Sequence, residues 1–269
     1  MRRVFLHTGF HKTGTTSAQA FLFANRKKIW PHHAMILPFR TRANRTRMAA
    51  TYHSSSRDPI SLDEFRFRLR GMFAEIDFKS DRGLIISDEN FSGLRPSLNS
   101  DPGYPAAADL AEALVDEVHA LFPGEEVNIT LYLSTRAPSA WLRSLWAHEV
   151  RKGWTPLGLD EFSEQFAALS DLSQTVHAIA DRLPGCTVVE HRLEVLSLLP
   201  FGPATPFVDF LDLPEAELAS FDRPAPENHS PPTEVLQQLL ELNRMDLPLE
   251  ELKERKQAVL RAHWKKAKS

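Results

Sequence analysis

The residues with the clearest chemical potential lie between positions 9 and 17, Gly-Phe-His-Lys-Thr-Gly-Thr-Thr-Ser. Gly9 and Gly14 permit backbone turns that aim N–H groups at an anion. Thr15, Thr16 and Ser17 supply hydroxyls, and Lys12 brings a full positive charge. An apolar run precedes the stretch and a helical pattern follows it, so a helix N-terminus adds its partial positive charge. Holding a phosphate or a similar oxyanion is the chemistry of such a loop. A second set is Arg136 with Ser144, eight residues later. Guanidinium makes forked contacts with phosphate, and a serine in the second turn of a helix adds a hydroxyl donor. The third set is the adjacent pair Asp88 and Glu89, after Leu-Ile-Ile-Ser. Neighbours on an extended backbone point to opposite sides, so only one of the two carboxylates faces the site.

These sets need elements to position them. Val4–His7, Leu84–Ser87, Ile129–Ser134 and Thr187–Glu190 are short, apolar and without clean alternation, as strands covered on both faces are. Helical patterns separate them. Ser17–Lys28 carries Ala18, Phe21 and Leu22 on one face. Ser61–Ile76 opens with Ser61 and Glu64, a capping-box pair. Ala106–Leu121 is ended by Pro123 and Gly124, and Pro138 opens Ser139–Arg151. Strand and helix in alternation predict an α/β fold, an open parallel sheet flanked by helices. Ligands of such sheets lie at the carboxyl ends of the strands, where all three sets fall. The stretch 30–60 reads as an irregular or partly helical insertion with Arg40, Arg42, Arg45 and Arg47. Residues 1–229 form the expected α/β domain. Residues 230–269 read as a helical C-terminal extension, a helix pair broken near Pro248 with a basic tail.

In the loop of kinases and ATPases, GxxxxGK[ST], lysine directly follows the second glycine. Here Thr15 holds that place and Lys12 precedes Gly14 by two residues. His-Lys-Thr-Gly-Thr-Thr instead resembles the 5′-phosphosulfate loop of sulfotransferases that use 3′-phosphoadenosine 5′-phosphosulfate (PAPS). Arg136 and Ser144 resemble that family's pair for the cofactor's 3′-phosphate. VVEHRLEVL and ENHSPPTEVLQQLLELN resemble its later blocks, and the likeness covers roughly residues 1 to 200. It implies a P-loop NTPase-like sulfotransferase core and transfer of a sulfuryl group to a hydroxyl or amine. It also implies PAPS as cofactor, PAP as product, and no metal. The cofactor-binding residues would be His11, Lys12, Thr13, Gly14, Thr15, Thr16, Ser17, Arg136 and Ser144. The catalytic residues would be Lys12, which stabilises the leaving oxygen, and Glu89 as base, with His7 and His11 as rivals and His7 the more packed of the two. Two other readings stand beside this one. One is an ATP-dependent small-molecule kinase, favoured by the Walker-B look of Leu-Ile-Ile-Ser-Asp; the other is an inactive nucleotide-binding homologue.

Bulk properties narrow the partners. A formal charge of −3 argues against nucleic acid, and the acceptor is expected to be a small molecule or glycan. The arginines from Arg40 to Arg47 would suit an anionic acceptor such as a uronic or sulfated sugar. No apolar run is long enough to span a bilayer, so no membrane partner is expected. The opening MRRVFLHTG has three apolar residues before polar ones resume, too few for a signal-peptide core. With one cysteine, Cys186, a cytoplasmic protein is expected.

Overall fold

Five strands form one sheet in the order β2-β3-β1-β4-β5, every neighbouring pair parallel. They are β1 (Arg2–His7), β2 (His33–Ile36), β3 (Gly83–Ser87), β4 (Val127–Thr135) and β5 (Thr187–Arg192). The computed structural model describes residues 1–38, 41–78, 81–97, 104–223 and 230–266, without the side chains of residues 41, 42 and 266. In chain order the helices are α1 (Thr15–Ala24), α2 (Arg26–Ile29), α3 (Thr41–Ser56), α4 (Pro59–Phe73), α5 (Ala107–Leu121), α6 (Pro138–Lys152) and α7 (Leu159–Phe166). Then follow α8 (Leu172–Arg182), α9 (Leu193–Leu196), α10 (Thr205–Leu211), α11 (Glu215–Leu218), α12 (Thr233–Arg244) and α13 (Leu249–Lys266). The fold is thus the α/β sheet flanked by helices that the apolar runs predict, with a helical C-terminal region.

The chain gathers into two compact units. One is Met1–Ala137 with Asp171–Glu227, and the other is Pro138–Ser170 with Asn228–Ser269. The first holds the whole sheet. Phe5, Ile85 and Tyr132 pack with Phe21, Leu22, Ile29 and Phe207 on one face. Val4, Leu6, Leu84, Ile86, Leu131 and Leu133 alternate with them and are fully buried too, so the sheet is covered on both sides. In the second unit a buried lysine ties the helices together. Lys256 Nζ donates to Gly153 O and to Asn243 Oδ1, each at 2.8 Å, and Asn243 Nδ2 donates to Val150 O at 3.1 Å. Burial lowers the Lys256 pKa to about 8.

Two sequence expectations are corrected. The stretch 30–60 contains a strand, β2, which pairs in register with β3 (Ile36 with Ile86), and a long helix, α3. And α4 starts before the Ser61–Glu64 pair. Asp58 is its N-cap, accepting from Ile60 N–H at 2.9 Å, and Pro59 occupies the first turn, where no N–H is needed. Ser61 instead gives its hydroxyl to Asp58 O at 2.5 Å.

Candidate functional site

His7 closes β1, and seven residues carry the chain from it to α1. Its ring is buried, stacked on Tyr132 at 4.8 Å between centroids. Nδ1 lies 2.8 Å from Ser87 Oγ on β3, and Nε2 lies 3.3 Å from Ser134 Oγ on β4. Ser134 Oγ is also 2.7 Å from Thr13 Oγ1, and the Thr13 hydroxyl donates to Phe10 O at 2.5 Å. With the His7 ring neutral, as its lowered pKa of about 4 makes it, one proton arrangement satisfies all four contacts. Ser87 donates to His7 Nδ1, His7 Nε2–H donates to Ser134, Ser134 donates to Thr13, and Thr13 donates to Phe10 O. The relay pins the loop to three strands from beneath. It also turns the Thr13 side chain wholly inward, leaving Thr13 only its backbone N–H for a ligand.

The glycines follow from this crowding. A Cβ at Gly9 would lie 2.6 Å from His7 Nε2 and 2.7 Å from Ser134 Oγ. Gly14 has φ 94°, the left-handed region, and a Cβ there would lie 2.7 Å from Leu193. Gly14 caps α1, and its carbonyl accepts from Ser17 and Ala18. The N–H groups of Thr15 and Thr16, in the first turn, therefore have no intrahelical acceptor and point out of the helix end. Thr16 is exposed, Ser17 half-buried and Thr15 buried. Lys12 also sits in the left-handed region, φ 71°, which costs a non-glycine residue on the order of 1 kcal/mol.

Arg136 follows β4 and reaches this loop. Its Nη1 donates to the Lys12 carbonyl at 3.2 Å, and its Nε lies 3.8 Å from Glu194 Oε1. Burial lowers its pKa, and the Glu194 charge offsets part of that effect. Ser144 is half-buried in the second turn of α6, which belongs to the other unit.

The two neighbouring carboxylates lie in different surroundings. Asp88 is fully buried, and its Oδ1 accepts from the N–H and side chain of Asn90 at 3.1 and 2.7 Å. Its Oδ2 is 3.5 Å from Arg47 Nε on α3. Burial and the Glu89 charge push Asp88 up to about 7. Glu89 opens a 3-10 turn, Glu89–Ser92, and accepts from Gln19 Nε2 of α1 at 2.8 Å. The Glu89 charge also favours protonation of His7, His11 and Tyr104, so it lies among the loop's neighbours. His11 meets the Tyr104 hydroxyl through both its backbone N–H, at 3.0 Å, and Nδ1, at 3.1 Å. Burial brings His11 down to about 4.

The first unit therefore brings Lys12, Gly14, Thr16, Ser17, Glu89 and Arg136 to the carboxyl ends of β1, β3 and β4. Gln19, Tyr104, Ser134 and Glu194 also belong to the site, and sequence reasoning missed them. Of the arginine stretch, Arg47 faces Asp88 and Arg45 is exposed. Arg40 and the Arg42 side chain lie outside the described residues. Among the described residues, no group of three or more His, Cys, Asp or Glu could hold a metal ion. Among them, too, no helix is long and apolar enough to cross a membrane.

The buried histidines set a pH dependence. Burial depresses His7, His11 and His33 from 6.5 to about 4. Between those values the unfolded chain binds protons that the folded chain does not, so stability falls as pH falls through that window. Asp88 has the opposite sign: the folded state holds a proton that the unfolded state has lost, so its contribution fades as pH rises from 3.8 to about 7. Three groups against one leave a net loss in acid. The urea midpoint is expected to be lower at pH 5 than at pH 7, each histidine contributing about 1–2 kcal/mol. His33→Phe should flatten that slope, because His33 already packs on Phe210 at 5.1 Å and a phenyl ring carries no proton. Equal midpoints at the two pH values would show that these rings are protonated alike in both states.

No protein-family model matches the chain, and no curated protein matches it. Among solved structures, the crystal structure of a sulfotransferase from Alicyclobacillus acidocaldarius is similar to it. That match has a TM-score of 0.47 at 15% identity and covers 92% of this chain and 97% of that one.

Proposed function

We propose that this chain is a sulfotransferase that moves a sulfuryl group from PAPS to a hydroxyl or amine of a small-molecule or glycan acceptor. The observation that carries the reading is the contact between Arg136 and the Lys12 carbonyl, which joins the two candidate anion-holding elements at one strand-to-helix junction. A nucleotide with a phosphate at each end of its ribose needs two such elements side by side.

The residues present fit that group. Three buried side-chain atoms around the loop lack a hydrogen-bond partner: Thr8 Oγ1, Asp88 Oδ2 and Arg136 Nε. Arg136 Nε is a donor suited to phosphate oxygen. Lys12 and the N–H groups from Gly14 to Thr16 would hold the 5′ end, with the hydroxyls of Thr16 and Ser17. Arg136 would hold the 3′-phosphate. Bound there, PAPS would supply the sulfuryl group and a phosphate leaving group. Lys12 would offset the charge that grows on the departing oxygen, and Glu89 would accept the acceptor's proton.

Thermal denaturation with PAP or ADP tests the cofactor. PAP at a hundred times its dissociation constant is expected to stabilise the protein by about 2.7 kcal/mol, with or without Mg²⁺. ADP should do much less, and Arg136→Ala should erase the difference. Equal shifts from the two nucleotides would remove the 3′-phosphate from the reading. A shift from ATP that requires Mg²⁺ would favour a kinase instead.

A further inference from the structure

The apolar layer on one face of the sheet runs out to an open edge. β2 is the outermost strand, and its Met35, with Leu37 just beyond it, belongs to the cluster that contains Phe5, Ile85 and Tyr132. Opposite them, along α1 and the helix after it, stand Phe23, Arg26, Lys27 and Trp30, at spacings of three, four and seven from Phe23. With Pro31 these residues enclose a groove of about 570 Å³, within the range of small-molecule sites. Its walls are mostly apolar, with Phe23 and Trp30 as the aromatic members, and Phe23 is 47% exposed. The charged residues on its lining are Arg26 and Lys27, and none of the described lining residues is acidic.

One of these cations is held against the wall. The Arg26 guanidinium lies 4.2 Å from the Phe23 ring centroid and donates to Phe23 O at 2.7 Å. Arg82 lies over Trp30 at 4.8 Å, adding a second fixed guanidinium beside the groove. A neutral apolar ligand would gain nothing from these charges. A second copy docked by two-fold symmetry would bring like charges together, because the same patch faces itself. An apolar body that carries one negative charge satisfies both walls and mouth.

We propose that this groove binds an amphipathic organic anion, its aromatic or branched aliphatic body against Phe23, Trp30, Met35 and Leu37 and its anionic group at Arg26 and Lys27. The site needs neither nucleotide nor turnover, so it stands or falls apart from the transferase reading.

Titration of the full chain with 1-naphthalenesulfonate tests it, followed by heat and by tryptophan fluorescence, with 1-naphthalenemethanol as the uncharged comparison. Saturable one-to-one binding is expected, with quenching that disappears in Trp30→Phe although the heat remains. Affinity should be at least tenfold weaker for the uncharged compound. It should also be at least tenfold weaker for the sulfonate in Arg26→Glu combined with Lys27→Glu, whose exposed side chains can change without disturbing the core. Phe23→Ser should weaken both ligands. Absence of saturable binding, equal affinity for the two compounds, or a double variant that binds like the parent would overturn the proposal. So would a concentration-dependent dimer that buries Trp30 and excludes the probe.

Discussion

Turnover at saturating PAPS is expected to fall by roughly two orders of magnitude or more when Lys12 is replaced by alanine, while PAP affinity changes far less. Loss of one donor aimed at developing charge has that scale. The backbone strengthens the argument. Lys12 keeps a left-handed φ of 71° where glycine would sit without strain, and such strain persists where surrounding structure over-determines it. The relay through Thr13 and the Arg136 contact to the Lys12 carbonyl supply that determination on either side. Lys12→Gly is therefore the sharper variant. It should melt no lower than the parent, because it relieves the φ strain, and should lose turnover as fully as alanine. Unchanged turnover in either variant would take Lys12 out of the chemistry.

Glu89→Gln is expected to cut turnover by roughly a hundredfold or more, the usual scale of general-base catalysis, and to leave PAP binding intact. Glutamine keeps the side-chain length and can still accept from Gln19, so the 3-10 turn should hold. Gln19 makes this test more specific. Its side-chain N–H donates to Glu89 Oε2 at 2.8 Å and fixes where that carboxylate sits, and Gln19→Leu would remove that support. Turnover should then fall at unchanged PAP affinity and unchanged melting temperature, a pattern that mere loosening of the fold would not produce. The rival base, His11, is already tied to Tyr104 and stays neutral down to about pH 4, which makes it a weak proton acceptor. Full activity in Glu89→Gln, together with loss in His11→Ala at unchanged PAP affinity, would reverse the assignment.

The legible parts of the fold are those built from large apolar side chains. β1, β3, β4 and β5 announce themselves as Val, Ile and Leu runs, and α5 shows Leu110, Leu114 and Val118 one turn apart. α3 was only partly legible because its buried face is small and polar: Ala43, Thr46, Ala49, Ala50, His53 and Ser54. Periodicity in bulky residues cannot reveal such a helix. β2 has four residues and begins with histidine, so only its pairing with β3 defines it. The site divides in the same way. The loop's glycines, lysine and hydroxyls are contiguous and carry their own meaning. Gln19, Tyr104, Ser134 and Glu194 act through side-chain contacts across the fold, which local spacing does not encode.

The relay beneath the phosphate loop also bears on the order in which the site can come into being. His7 meets its partners across 80 and 127 positions of chain, at Ser87 and Ser134. At a synthesis rate of roughly 5–20 residues per second, the loop leaves the ribosome on the order of 6–25 seconds before Ser134 follows to brace it. During that interval Gly9 and Gly14, the residues that make the loop possible, also leave it the least constrained part of the nascent chain. Nascent chains arrested short of β4 should therefore bind no nucleotide, however complete the loop itself is. Competence should arrive in one step, when β4 docks beside β1 and delivers Ser134 and Arg136 together.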